Sequence, residues 1–315
     1  MPVAAEYITG YTFLMMRPAR VLRTVTKVGS AGWQQGGGRR HVGSSSQTGQ
    51  MTVTQRLLET AVQYGGRPAL VTGQSKEPYS FASLASTIRR AAAGLAWRGL
   101  QPRDVVGVYV PDAAAYVLAC HAISVAGGIP CPVSAELSIT ETAGQLADSG
   151  ARMLLTAQPL ATAGLAAADR SWVRQVISFG DAPAATPISS LLGMGSLDPS
   201  VARPHDLALL SYVRRADGAL HPAGLTHVEM AAELAALSVT ADISERDVVL
   251  AAPPAGDGRS YTAFIDHALL HGATIVAVRT DELSVAATEH RGTAAIVPLG
   301  VEVHSTAPLR LFAVA

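Results

Sequence analysis

The sequence predicts an α/β fold with largely parallel sheets flanked by helices. Three observations carry that expectation. From Met51 onward, helix-length amphipathic or apolar segments alternate with short β-rich runs. Side-chain oxygens stand where they can cap several of the helix-like runs. Hydrophobic residues make up 49% of the 315-residue chain and charged residues 15%, enough to bury a sizeable core.

The helix-like runs are Thr54–Tyr64, Ser80–Trp97, Asp112–Ala126, Thr140–Asp148, Thr226–Leu237 and Tyr261–Leu270. The β-rich runs are Ala69–Thr72, Val105–Val110, Met153–Thr156, Gln175–Phe179, Leu207–Val213, Val248–Ala252, Thr274–Val278 and Ala295–Val297. Ser80, Asp112 and Thr226 each stand where a side-chain oxygen can cap the helix that follows. Pro183–Pro187 and Leu197–Pro204 are expected to be irregular. Ala113–Val133 is long and mostly apolar, but Gly127-Gly128 divides it into a helix and a short strand, so no membrane span is expected.

Residues 1–50 differ from the rest. Six basic residues face one acidic residue, Glu6, and Gly36–Gly38 and Ser44–Ser46 are low-complexity. The stretch reads either as a transit-type peptide or as sequence ahead of a true start at Met51. The second reading is favoured because the periodic pattern begins at Met51. Disorder is expected over 1–50 and one folded unit over 51–315.

Formal net charge is +0 and the pI about 7.1, which speaks against a nucleic-acid or anionic-membrane partner. Two cysteines, Cys120 and Cys131, make no framework, and a reducing, cytoplasmic setting is expected. His267 and His271 have i,i+4 spacing, but Ala268 stands where a His-Glu-x-x-His motif needs Glu, and no metal site is expected. Cys120-His121 is expected in the core, and no Gly-x-Ser-x-Gly elbow supports a hydrolase.

The most informative stretch is 211–227, read as a loop between an apolar strand and a helix, where nucleotide phosphates are usually held. Ordered motifs surround it. These are Gly66-Arg67-Pro68-Ala69-Leu70, Tyr79-Ser80-Phe81-x-x-Leu84, and Gly99-Leu100-x-x-Arg103-Asp104-Val105-Val106. Further along come Ala126-Gly127, Glu141 with Gln145-Leu146-x-Asp148-Ser149-x-Ala151-Arg152, and His271-Gly272-Ala273-Thr274-Ile275-Val276. Each is weak singly; in this order they resemble the adenylate-forming acyl- and aryl-CoA synthetases (AMP-binding enzymes), coumarate–CoA-ligase-like. The resemblance implies the large N-terminal domain of that fold, with ATP and Mg²⁺ in the family's reaction.

The family's phosphate loop, roughly Y-S-S-G-T-T-G-x-P-K-G-V-x-L-T-H, aligns with Tyr212 to His227. Tyr212, Gly218, Leu225, Thr226 and His227 match. Val213, Arg214, Arg215, Ala216 and Asp217 replace the hydroxyl and glycine positions, His221 the lysine, and Pro222 the next glycine. Four hydroxyls are lost, Asp217 adds negative charge, and Pro222 removes an amide donor. Tyr212, Arg214, Arg215, Gly218, His221, Thr226 and His227 are the candidate, degenerate phosphate contacts. Pro254-Ala255-Gly256-Asp257 likewise lacks the aromatics and His of the family's acid-pocket segment. Measured against the family, the chain reads as truncated, stopping before the motifs for adenine, ribose and the mobile C-terminal domain.

The leading expectation is a pseudoenzyme that binds no ATP or Mg²⁺ and cannot adenylate acids alone, either an interaction or ligand-binding module or a decaying gene product. The alternative is one half of a split ATP-dependent acid–CoA ligase completed by a separate chain. An unpaired sheet edge near Ala315 would favour a protein partner or self-association.

Overall fold

The computed structural model describes residues 51–72, 78–253, 258–301, 303, 305 and 308–314, together with the backbone of 25–27. In chain order the elements are β1 (Val25–Lys27), α1 (Val53–Tyr64), β2 (Pro68–Val71), β3 (Tyr79–Ser80), α2 (Phe81–Trp97), β4 (Val105–Tyr109) and α3 (Ala113–Val125). Next come β5 (Ile129–Pro132), α4 (Ile139–Asp148), β6 (Met153–Ala157), α5 (Ala161–Ala168), β7 (Gln175–Phe179) and β8 (Thr186–Pro187). The chain continues with β9 (Leu207–Arg214), β10 (Leu220–Thr226), α6 (His227–Thr240), β11 (Val248–Ala251) and α7 (Arg259–Leu270). It closes with β12 (Thr274–Ala277), α8 (Leu283–Glu289), β13 (Ala294–Pro298) and β14 (Arg310–Val314).

Two parallel sheets form the frame. One has the order β5-β4-β6-β7-β8, the other β1-β14-β13-β11-β12-β2-β3, and only the short β2–β3 pair in them is antiparallel. β9 and β10 make a separate antiparallel pair, with β9 running alongside β5.

Alternation along the strands explains the layering. Val106, Val108, Met153 and Leu155 of the five-stranded sheet share one core with Val249, Ala251, Ile275 and Ile296 of the seven-stranded sheet. Between them lie α1, α2, α3, α6 and α7. The opposite faces are covered by α4 and α5 on the five-stranded sheet and by α8 on the other. Each sheet is therefore buried on both faces, which is why its strands read as continuous apolar runs.

Helix α3 is apolar all round and buried except at Ser124, as a helix between two sheets must be. It is the run that could be mistaken for a membrane span. No described helix is long and apolar enough to cross a membrane. Its polar groups are satisfied internally. His121 contacts Thr54 Oγ1 through Nδ1 at 3.0 Å and Asp266 Oδ1 through Nε2 at 3.1 Å, linking α1, α3 and α7. Tyr116 Oη lies 2.5 Å from Thr262 Oγ1, and its ring meets Tyr261 edge-on. Cys120 and Cys131 are both buried, and burial pushes both thiols up in pKa, Cys131 to about 11.

The predicted helices and strands are present with ends shifted by a few residues, and Ser80, Asp112 and Thr226 do cap their helices. Four differences have physical causes. Residues 211–227 are not a strand–loop–helix unit: Leu220–Thr226 is a second strand. Its His-Pro-Ala-Gly start has little β propensity, yet an edge strand with one neighbour tolerates a missing amide donor. α5 escaped notice because its alanines give no periodicity, and α8 because seven residues are barely two turns. Thr186–Pro187, expected to be irregular, pairs with β7, whereas 197–203 is irregular as expected. Finally, β14 is paired on both sides, by β13 and by β1, so the edge expected near Ala315 is occupied. Apart from β1, residues 1–50 lie outside the described residues.

Close packing of α2 on the 3-10 turn Ile188–Ser190 and Leu191 gives a stability test. A Cβ at Gly94 would lie 2.5 Å from Leu191 Cβ and 2.7 Å from its carbonyl oxygen. Gly94→Ala is expected to destabilise by about 1–3 kcal/mol despite the better helix former. Gly144, in α4 with nothing within 4 Å of the added carbon, should gain roughly 0.5–1 kcal/mol as Gly144→Ala. Urea unfolding of both variants measures the contrast; equal signs would contradict the packing argument.

Candidate functional site

The β9–β10 hairpin is built from its turn outward. Arg214 pairs with Leu220, and a five-residue connection, Arg215-Ala216-Asp217-Gly218-Ala219, joins the strands. The Arg215 amide donates to the Ala219 carbonyl at 3.0 Å, and the Gly218 amide to the Arg215 carbonyl at 2.9 Å. The Ala219 amide donates to Asp217 Oδ1 at 2.9 Å. Gly218 has φ 82°, the left-handed residue that closes this kind of hairpin loop. Gly218 thus serves the turn, and the amides of 215, 218 and 219 are consumed by it.

The charged side chains at the tip also have local partners. Arg214 donates to Glu141 Oε1 and to the Gly218 carbonyl, both at 2.7 Å. Glu141 also accepts from the amide and hydroxyl of Ser138 in the capping box of α4. Those bonds and Arg214 hold its carboxyl down at about 2. His221 Nε2 lies 3.6 Å from Asp217 Oδ2. The Ala219 amide and His221 both depress the Asp217 pKa, the amide more strongly. Arg215 is exposed, with no carboxylate within 4.0 Å among the described residues.

Tyr212 points inward. Its ring is buried and its hydroxyl donates to Asp148 Oδ2 at 2.6 Å. Burial foremost, then that hydrogen bond, push the phenol upward in pKa. Asp148 and Glu141 stand at the two ends of α4, so the helix grips the hairpin at Tyr212 and again at Arg214.

Thr226 and His227 belong to the other end of the hairpin. Thr226 caps α6 in a box with Glu229. His227 opens that helix, its amide donating to the Asp206 carbonyl. Desolvation lowers its ring pKa, with Asp206 opposing. Its buried Nδ1 has no partner among the described residues. The ring helps line a cavity of about 30 Å³ with Thr54, His121 and Asp266, which has room for one water. Leu220 and Thr226 are six residue steps apart along the strand, about 20 Å at ~3.4 Å per residue. The seven candidate residues therefore do not converge: Tyr212, Arg214, Arg215, Gly218 and His221 cluster toward the tip, Thr226 and His227 at the base.

Glu141, Asp148 and Asp217 are the site residues that sequence reasoning missed. The first two lie in the motif Glu141 to Arg152, and the third had been seen only as repulsion toward phosphate. His267 in α7 and His271 at its C-cap have ring centroids 4.3 Å apart. His267 Nε2 meets the Ala241 carbonyl and His271 Nδ1 the His267 carbonyl. Among the described residues no group of three His, Cys, Asp or Glu could hold a metal. Pro254–Asp257, the altered acid-pocket segment, lies outside the described residues.

Comparison with known proteins places the hairpin in context. Residues 57–308 match the family model described as AMP-binding enzyme. A feruloyl-CoA synthase from an Amycolatopsis species is 28% identical over 69% of this chain and 40% of its own length. 4-Coumarate–CoA ligase 3 from rice is 26% identical over 74% of this chain and 43% of its own. A long-chain-fatty-acid–CoA ligase from Archaeoglobus fulgidus superposes with TM-score 0.69 at 20% identity, over 81% of this chain and 53% of that one. A benzoate–CoA ligase from Burkholderia xenovorans gives 0.66 at 19%, over 80% and 51%. These superpositions show the shared fold. The chain spans half or less of the length of the two sequence relatives.

Two measurements test the grip of α4. Glu141 has its folded pKa near 2 and an unfolded value of ~4.3. Its depressed value contributes stability that is complete above ~4.3 and is lost as pH falls through about 2. The gap in urea midpoint between the parent and Glu141→Gln should therefore be widest at neutral pH and close between about pH 5 and 2; a pH-independent gap would refute the pairing. Tyr212→Phe should cost about 1.5–3 kcal/mol, the worth of a hydrogen bond to a charged acceptor, as read by chemical denaturation.

Proposed function

Because the chain belongs to the AMP-binding enzyme family, we propose that it is an acyl- or aryl-CoA-ligase-type AMP-binding domain whose phosphate hairpin does not hold ATP. One observation carries this reading. The donors that would have to face phosphate are committed within the protein: three turn amides to the turn, and Arg214 to Glu141. A phosphate site needs free amides and close backbone approach. Here Asp217 adds a negative charge to the tip, and only Arg215 offers an exposed cation without a carboxylate beside it. Releasing Arg214 would also uncover Glu141, a second carboxylate at the same place.

The cradle that adenylation requires for ATP and Mg²⁺ is thus replaced by a fastener between the hairpin and α4. The domain acts as a scaffold that binds partners or ligands by other surfaces. The relatives' names point to aromatic and fatty acids as ancestral substrates.

The test is nucleotide binding by the 315-residue chain. Calorimetry with MgATP is expected to show no saturable binding up to millimolar concentration, and ATP–pyrophosphate exchange with ferulate, benzoate or palmitate should stay at background. A variant carrying Arg214→Ser, Arg215→Gly, Asp217→Thr, His221→Lys and Pro222→Gly should gain measurable MgATP binding. Micromolar binding or exchange by the unaltered chain would overturn the proposal.

A further inference from the structure

The rim of the five-stranded sheet at the amino-terminal ends of its strands has a composition unlike the rest of the surface. Arg152 precedes β6 and Arg174 precedes β7, and the Arg174 amide donates to the Arg152 carbonyl at 2.8 Å. The parallel register continues from Met153 paired with Gln175, so the two arginines are lateral neighbours, about 4.8 Å apart along the sheet. Arg170 lies in the turn after α5, in the same connection as Arg174. All three side chains are exposed, and none has a carboxylate within 4.0 Å among the described residues. Asp169, also exposed, is the acidic residue of that connection.

A second, independent feature falls on the same rim. Trp172 sits between Arg170 and Arg174 and is 68% exposed; Trp97, the last residue of α2, is 65% exposed. The Gln175 side chain donates to the carbonyl of Arg98, next to Trp97, at 2.9 Å, which ties the end of α2 to the start of β7. Both described tryptophans are thus presented to solvent at one place, in a chain with only 5% aromatic residues. Tryptophan is ordinarily well covered, and with arginine it is the residue type enriched at the energetic centres of protein interfaces.

We infer that this rim, with Arg152, Arg170, Arg174, Trp97 and Trp172, is a docking surface for an acidic segment of another protein. The charge logic is local. The three arginines outnumber Asp169 and Asp104, the latter preceding β4 on the same rim, in a chain whose net charge is +0 and which is therefore not generally basic. Adjacent guanidinium forks suit carboxylates, and the indole rings supply apolar area between them. Ligands of open α/β sheets bind at the carboxyl ends of the strands; this rim lies at the opposite ends, leaving the crevice clear. The inference is independent of the proposed loss of ATP binding, since the hairpin lies beyond β5, at the other edge of the sheet.

The experiment is a titration of the full chain into a fluorescein-labelled peptide, (Glu-Glu-Leu)₄, read by anisotropy at low salt. Saturable sub-millimolar binding is expected. Arg152→Glu/Arg174→Glu should weaken it at least tenfold and Trp172→Ala severalfold. Arg56→Glu/Arg291→Glu, the same charge change at two other exposed arginines, should leave it within twofold. Thermal melting confirms that each variant is folded. Equal weakening by the two charge-reversal pairs, an unaffected Trp172→Ala, or no saturable binding would overturn the inference. So would a labelled single-stranded oligonucleotide bound as tightly, with the same dependence on Arg152 and Arg174.

Discussion

A helix that is apolar on every side can be stable in water only if something covers every side, and α3 imposes that condition on the whole chain. Two parallel sheets meet it by sharing one helical layer. Once α3 lies between them, α1 and α7 are drawn against it, and the few polar groups in that layer must find partners there. The Thr54–His121–Asp266 chain and the Tyr116–Thr262 contact meet that need while linking α1, α3 and α7. An unsatisfied donor in such a place would cost about 1–3 kcal/mol. The polar residues of the layer are thus consequences of its burial. The outer helices α4, α5 and α8 follow from the same constraint, because each sheet has a second apolar face.

The hairpin depends on that frame in turn. β9 lies against β5, and α4, seated on the outer face of the five-stranded sheet, reaches the hairpin with a carboxylate at each end. Tyr212 and Arg214 are anchored by different ends of one rigid helix. Their side chains are held by contacts with that helix. A turn that consumes its own amides and a cation that answers a neighbouring carboxylate describe a structural joint.

Much of this was legible in the residues. β-rich runs at β4, β6, β7, β11 and β12 announced strands, and capping oxygens at Ser80, Asp112 and Thr226 marked helix starts. Ordered motifs from Gly66 to Val276 pointed to the family, which the match over 57–308 shows. The replacement of hydroxyls by Val213, Arg214, Ala216 and Asp217, and of a glycine by Arg215, was visible as a loss. Its meaning was not, because Glu141 lies 73 residues from Arg214 and Asp148 lies 64 from Tyr212. Long-range pairs leave no local periodicity. β10 was hidden for a related reason: its strand character comes from pairing with β9, against the preference of His221, Pro222 and Gly224.

By itself, the sequence determined most of the helices and strands and the α/β class with largely parallel sheets, because hydrophobic period and capping chemistry are local. It also determined the family and which phosphate-loop residues had changed. Only the tertiary structure decided what those residues do now. Packing brings α4 against the hairpin, turns Arg214 and Tyr212 into fastenings, and separates Thr226 and His227 from the tip by the length of a strand. It also gathers Arg152, Arg170, Arg174 and the two tryptophans on one rim. Side-chain roles of that kind depend on which distant groups the fold makes neighbours, and that is decided by burial of the shared core.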